Sequence, residues 1–123
     1  MSSRNWIEYS TAGVFLRVLV HENRMHKGKP VYDWLLREAR RLGIHGGSAY
    51  RGIAGYGRHG VMHEAHFFEL AGDLPVEVRF VCSESEANQL LDAIEGAQLS
   101  LFYVIGPTRY GVTAAAKEDW LKR

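Results

Sequence analysis

The chain has little cysteine: one residue, Cys82, in 123. No internal disulfide can form, which fits a reducing compartment and excludes a small disulfide-stapled scaffold. It has no apolar run of the roughly 18 residues that a membrane helix needs. Residues 1–13 contain no apolar signal core. The expectation is a cytoplasmic protein without direct membrane insertion. Excess charge is also lacking: 15 Lys and Arg face 14 Asp and Glu, a formal net charge of +1 with the six histidines neutral. That balance argues against duplex nucleic acid or an anionic membrane as a bulk electrostatic partner. A small anion held by two or three local arginines remains compatible with it.

What is present is enough for one core. Hydrophobic residues make up 46% and aromatics 11%, too many for a disordered chain. The length is that of a single domain.

Residues 1–13 are polar, with Trp6, Ile7 and Tyr9 interspersed; a loose arm and an extra strand both fit. Residues 14–20 (VFLRVLV) form a β-branched, apolar run that predicts a strand buried on both faces. A polar loop follows over 21–29. Pro30 suits a first helical position. Val31, Leu35, Ala39 and Leu42 then recur at helical spacing up to Gly43, predicting a helix over 30–42. Arg40 and Arg41 sit in its last turn, where cations suit the helix dipole. Residues 46–57 read as one strand with internal glycines at 52, 55 and 57. A strand tolerates glycines where backbone comes close to something else. Residues 61–70 read as a second extended stretch. Val76, Val78 and Phe80 alternate with Glu77 and Arg79, a strand with one buried face. Cys82 falls at its end and reads as a small core residue.

Ser83 followed by Glu86 is a capping box. Ala87, Leu90, Leu91 and Ile94 follow at helical spacing, and Gly96 is the expected stop. Residues 99–105 read as the last long strand, broken by Gly106 and Pro107. The order β-α-β-β-α-β predicts a ferredoxin-like α+β fold, with two helices on one face of a four-stranded antiparallel sheet. The expected layout is an N-terminal arm over 1–13, the ferredoxin-like domain over 14–105 and a C-terminal extension over 106–123. One sheet face stays uncovered, yet the first and last strands are too apolar to face water. An exposed apolar face of that kind marks an interface, so the pattern points to an oligomer.

Chemistry-bearing residues concentrate in 51–66, RGIAGYGRHGVMHEAH. Gly55, Gly57 and Gly60 match G-x-G-x-x-G. A dinucleotide site needs a helix opening at the motif, and none is predicted. Strand-end glycines can instead present backbone N–H groups to a phosphate, with Arg51 and Arg58 supplying charge. A twisted hairpin arm with solvated arginines fits the same residues. His63 and His66 lack the zincin spacing and point to opposite faces of a strand. For acid–base chemistry the candidates are His21, Glu22, His63 and Asp73, with no spacing that singles out a dyad. Tyr50, Tyr56, Phe67, Phe68 and Tyr103 read as core or interface aromatics. The sheet lacks the basic-aromatic signature of an RNA-binding surface.

Four groups of residues carry a resemblance: Lys29, Pro30, Val31 and Tyr32; the run Arg51, Gly52, Ile53, Ala54, Gly55, Tyr56, Gly57; His63; and Asp73, Leu74, Pro75, Val76. Together they resemble the short PII-like proteins of bacteria and archaea, a family of unassigned function. The likeness runs over about 14–105 and extends to the PII nitrogen regulators and to CutA-like trimers. It implies a homotrimer and a signalling role rather than an enzyme. It implies adenine nucleotide (ATP, ADP or AMP) bound between subunits, and a T-loop over 59–72 that docks on a membrane transporter or a regulated enzyme. Ligand-binding residues are then Arg51, Gly52, Gly55, Gly57 and Arg58. The partner loop carries His59, His63, His66 and Phe67. Arg109 is a further candidate for a phosphate contact. The resemblance departs at residues 95–98, too short for the lysine-bearing loop of PII. No tyrosine lies between 57 and 102, so uridylylation control is not implied. The alternatives are a CutA-like trimer holding metal through His59, His63 or His66, and a small enzyme.

Overall fold

Apolar residues alternate at Val14, Leu16, Val18 and Val20, and again at Val76, Val78, Phe80 and Cys82, and all of them are buried. Side chains alternate across a pleated sheet, so these positions define one covered face. The computed structural model describes residues 4–56, 62–64 and 74–113, with 55, 56 and 62–64 described by backbone alone. In chain order the elements are β1 (Thr11–His21), β2 (Met25–His26), β3 (Lys29–Pro30), α1 (Val31–Arg41), β4 (Gly47–Arg51), β5 (Ala54–Tyr56), β6 (Met62–Glu64), β7 (Pro75–Cys82), α2 (Glu84–Gly96) and β8 (Phe102–Tyr110). The main sheet has the order β4-β7-β1-β8 and is antiparallel throughout. With two helices on one face this is the ferredoxin-like plan, as the sequence pattern predicts.

Both helices cover the face that carries Leu16, Val18, Val78 and Phe80. Val31, Leu35 and Ala39 of α1 are buried there, as are Ala87, Leu90 and Ile94 of α2. Burying each large side chain contributes roughly 1.5–3 kcal/mol. α2 starts at the predicted box: the Glu86 backbone N–H donates to Ser83 Oγ at 3.1 Å, and the Ser83 N–H donates to Glu86 Oε1 at 2.9 Å. Such a cap contributes about 1 kcal/mol. Gly43 follows α1 with φ +91°, a left-handed stop that glycine adopts freely. The stop expected at Gly96 differs, because Gly96 is still helical and the left-handed residue is Gln98.

Four further boundaries differ from the sequence reading. The last strand does not break at Gly106 and Pro107: β8 runs through both to Tyr110, with Pro107 opposite Val14. β8 is an edge strand, and an edge tolerates a residue without an N–H. Its longer course lets β1 begin at Thr11 rather than Val14. The single strand expected over 46–57 is two. β4 ends where Arg51 pairs with Val76, and β5 leaves to pair with β6, Gly55 opposite His63. The loop over 21–29 contains a small hairpin, β2 against β3. Its turn places Lys27 and Gly28 at φ +51° and +79°, the two positive angles of a two-residue hairpin turn. Pro30 ends that hairpin at the helix cap position, one residue before α1. Among the described residues no helix is long and apolar enough to cross a membrane.

Candidate functional site

One end of the sheet gathers the candidate ligand residues. The end of β1, the end of β4 and the start of β7 meet there. The Glu22 N–H donates to the Leu74 carbonyl at 2.7 Å, and the Gly52 N–H donates to the Pro75 carbonyl at 2.7 Å. Gly52 is the close approach that its type predicts: an added Cβ would lie 2.9 Å from Pro75 Cγ. Arg51 Nε donates to Glu22 Oε1 at 2.9 Å, and a second guanidinium nitrogen reaches the same oxygen. Arg24 Nη1 donates to the Ser100 carbonyl at 3.0 Å, tying the hairpin to the approach of β8. The same end carries Lys27 and Lys29, so cations outnumber the one carboxylate of Glu22.

Of the sequence candidates, the structure brings together Arg51 and Gly52. Gly55 and His63 oppose each other in the β5–β6 ladder. Gly57, Arg58, His59, His66, Phe67 and Asp73 lie outside the described residues, as does the rest of the expected T-loop apart from Met62–Glu64. Glu22, an acid–base candidate from sequence, is engaged by Arg51 instead. Arg109 does not follow the last strand but lies within it. Its guanidinium is held by Ser10, with Nε to Oγ at 2.7 Å and Nη2 to the carbonyl at 3.0 Å. Among the described residues no group of three or more His, Cys, Asp or Glu could hold a metal.

The second feature is the sheet face away from the helices. It carries Leu19, Val81, Phe102 and Val104, all exposed, around a charged centre. Glu77 accepts from Arg17, and from Arg79 Nε at 2.8 Å. The Arg79 guanidinium lies 4.4 Å from the centroid of the Tyr50 ring. Tyr50 and Tyr103 are therefore exposed rather than core. Burial pushes the Glu77 carboxyl up, but hydrogen bonds and charge from Arg79 and Arg17 outweigh it, and the net shift is down. A carboxyl depressed in the folded state stabilises it above the unfolded value and loses that contribution as pH falls through the folded one. The melting-temperature gap between the native chain and Glu77→Gln is expected to shrink between about pH 6 and about pH 3. Thermal melts across that range check it, and a constant gap removes the assignment.

At the far end of the sheet, Phe15, Ser48, Tyr50, Arg79, Glu86 and Tyr110 line an open groove of about 560 Å³. Cys82 also borders it. Its thiol is pushed up to about 11, first by burial and then by the charge of Glu86, so it is a poor nucleophile at neutral pH.

The sheet order and the two helices place the chain among ferredoxin-like proteins, and comparison narrows the class. The DUF190 family, described as "Uncharacterized ACR, COG1993", matches residues 13–101. The chain belongs to this family. A UPF0166 protein of Aquifex aeolicus is 35% identical over 81 residues, 66% of this chain and 77% of that one. The UPF0166 protein MJ1524 of Methanocaldococcus jannaschii is 34% identical over 76 residues, 62% of this chain and 69% of that one. Among solved structures, CPII from Thiomonas intermedia K12, a nitrogen regulatory PII-like protein bound to ADP, AMP and bicarbonate, has a TM-score of 0.63 at 18% identity. That match covers 84% of this chain and 92% of CPII. A PII-like signalling protein from Thermus thermophilus has a TM-score of 0.55 at 12% identity, covering 82% of this chain and 91% of that one. The fold is thus that of PII-like proteins, as the resemblance in the sequence implies.

Proposed function

We propose that the chain is a PII-like regulatory protein that binds a small anion, an adenine nucleotide such as ADP, AMP or ATP, at the Arg51 end of its sheet. The observation that carries this is the shared fold with CPII, which is bound to ADP and AMP in its structure. The local chemistry agrees. Arg51 offers a planar fork suited to phosphate, and the tight Gly52–Pro75 approach fixes the backbone beside it.

The functional unit in this reading is a trimer in which each nucleotide lies between two subunits. The open face supports assembly, because Leu19, Val81, Phe102 and Val104 leave apolar surface that a monomer would expose to water. Gly55, Gly57 and Arg58 extend the ligand site. The T-loop over 59–72, with His59, His63, His66 and Phe67, changes order on binding and engages a transporter or a regulated enzyme in the cytoplasm. In this role the protein signals by occupancy and catalyses nothing.

Native mass spectrometry of untagged protein, alone and with ADP, AMP or ATP, tests the reading. The expected species is a trimer that gains one nucleotide per subunit. A monomer, or a trimer that gains none of the three, overturns it.

A further inference from the structure

We propose that the Glu22 carboxylate is an internal competitor for the anion that Arg51 binds, occupying the arginine fork when ligand is absent and setting the ligand concentration at which the site fills. The inference rests on the anion-binding reading of Arg51 given above. In the structure both Arg51 contacts converge on one carboxylate oxygen of Glu22. That oxygen stands where a phosphate oxygen of a ligand would stand, since carboxylate and phosphate present the same kind of acceptor to a guanidinium.

The arrangement is built by backbone. Glu22 is fixed through its N–H to the Leu74 carbonyl, and the residue after Arg51 is fixed through its N–H to the Pro75 carbonyl. Arg51 itself closes the β4–β7 ladder opposite Val76. The two side chains therefore meet across the start of β7, although 29 residues separate them in sequence. They differ in exposure: the Arg51 side chain is 63% exposed and that of Glu22 is 20%. The arginine can turn outward to a ligand while the carboxylate stays close to where it is.

An exposed pair of this kind is weak. A diphosphate brings more charge and more acceptor oxygens than one carboxylate, so it displaces Glu22. After displacement the carboxylate remains beside the bound anion and repels it. Both effects lower affinity, and removing the charge at position 22 removes both.

The test is calorimetric titration of the full-length protein with ADP, AMP and inorganic phosphate at fixed low ionic strength. Native chain, Glu22→Gln and Arg51→Ala are compared, with thermal melts to show that each is folded. Glu22→Gln is expected to bind ADP about three- to tenfold more tightly than the native chain, and Arg51→Ala about tenfold or more weakly. Binding by Glu22→Gln alone also supports the competition. If the native chain binds ADP and Glu22→Gln binds it equally or more weakly, the competition is overturned while the nucleotide reading stands. If neither binds any of the three anions, the anion reading of Arg51 fails and the competition falls with it.

Discussion

Replacing Phe80 with alanine is expected to lower the melting temperature by about 10–20 °C. Phe80 is 1% exposed and lies at the centre of the covered face, paired with Leu16 on one side and Gly47 on the other. Phenylalanine-to-alanine changes in a packed core cost about 3–5 kcal/mol, through lost burial and the cavity left behind. A domain of this size has a total stability of about 5–15 kcal/mol, and each kcal/mol moves its midpoint by a few degrees. Little can collapse into the space. The Phe80 ring already fills the position above Gly47, where an added Cβ would lie 2.5 Å from Phe80 Cε1. Calorimetry or a circular-dichroism melt checks the value. A loss of only about 4 °C or less would show that the core is centred elsewhere.

The second large effect concerns assembly. Phe102→Asp is expected to convert the proposed trimer to monomers while leaving the protomer folded. Phe102 pairs with Leu19 on the open face and is 52% exposed in the single chain, so the protomer does not need it for its core. At an interface the same position would bury an aspartate without a partner, at about 3 kcal/mol or more for each contact. Light scattering behind size exclusion, with a melt on the same sample, separates the two readouts. A trimer that survives the substitution places the interface on another surface. A native chain that is monomeric removes the assembly altogether. Nucleotide affinity is expected to fall with the trimer, because the proposed site lies between subunits.

Much of the fold was readable before any coordinates. The strict alternation in β1 and β7 and the Ser83–Glu86 box each have one physical solution, and the structure adopts it. The misplacements share a cause: they fall where the local signal does not carry the deciding information. Pro107 breaks a central strand but not an edge strand, and whether β8 is an edge depends on the order of the whole sheet. The stretch over 46–57 has no periodicity to show that pairing ends at Arg51. Lys27 and Gly28 form a hairpin turn without the Asn-Gly signal that would have announced it. At the candidate site Arg51 and Gly52 were recognisable from residue type. The contact of Arg51 with Glu22 was not, since it exists only because β7 lies between β4 and β1. The readings placed on Gly57, Arg58, His59, His66 and Phe67 lie outside the described residues.

Pro107 has a second consequence, which concerns fibres rather than the fold. The outer rim of β8 has no neighbour within the chain, and a bare rim of nine strand residues is a template on which further strands can add without limit. A proline at such a rim turns its ring nitrogen outward. An arriving strand meets a pyrrolidine where it needs a donor, so the ladder cannot propagate past that point. The residue that looked like the end of a strand therefore acts as a guard against runaway polymerisation, and it leaves only the stretch before it free for controlled contacts.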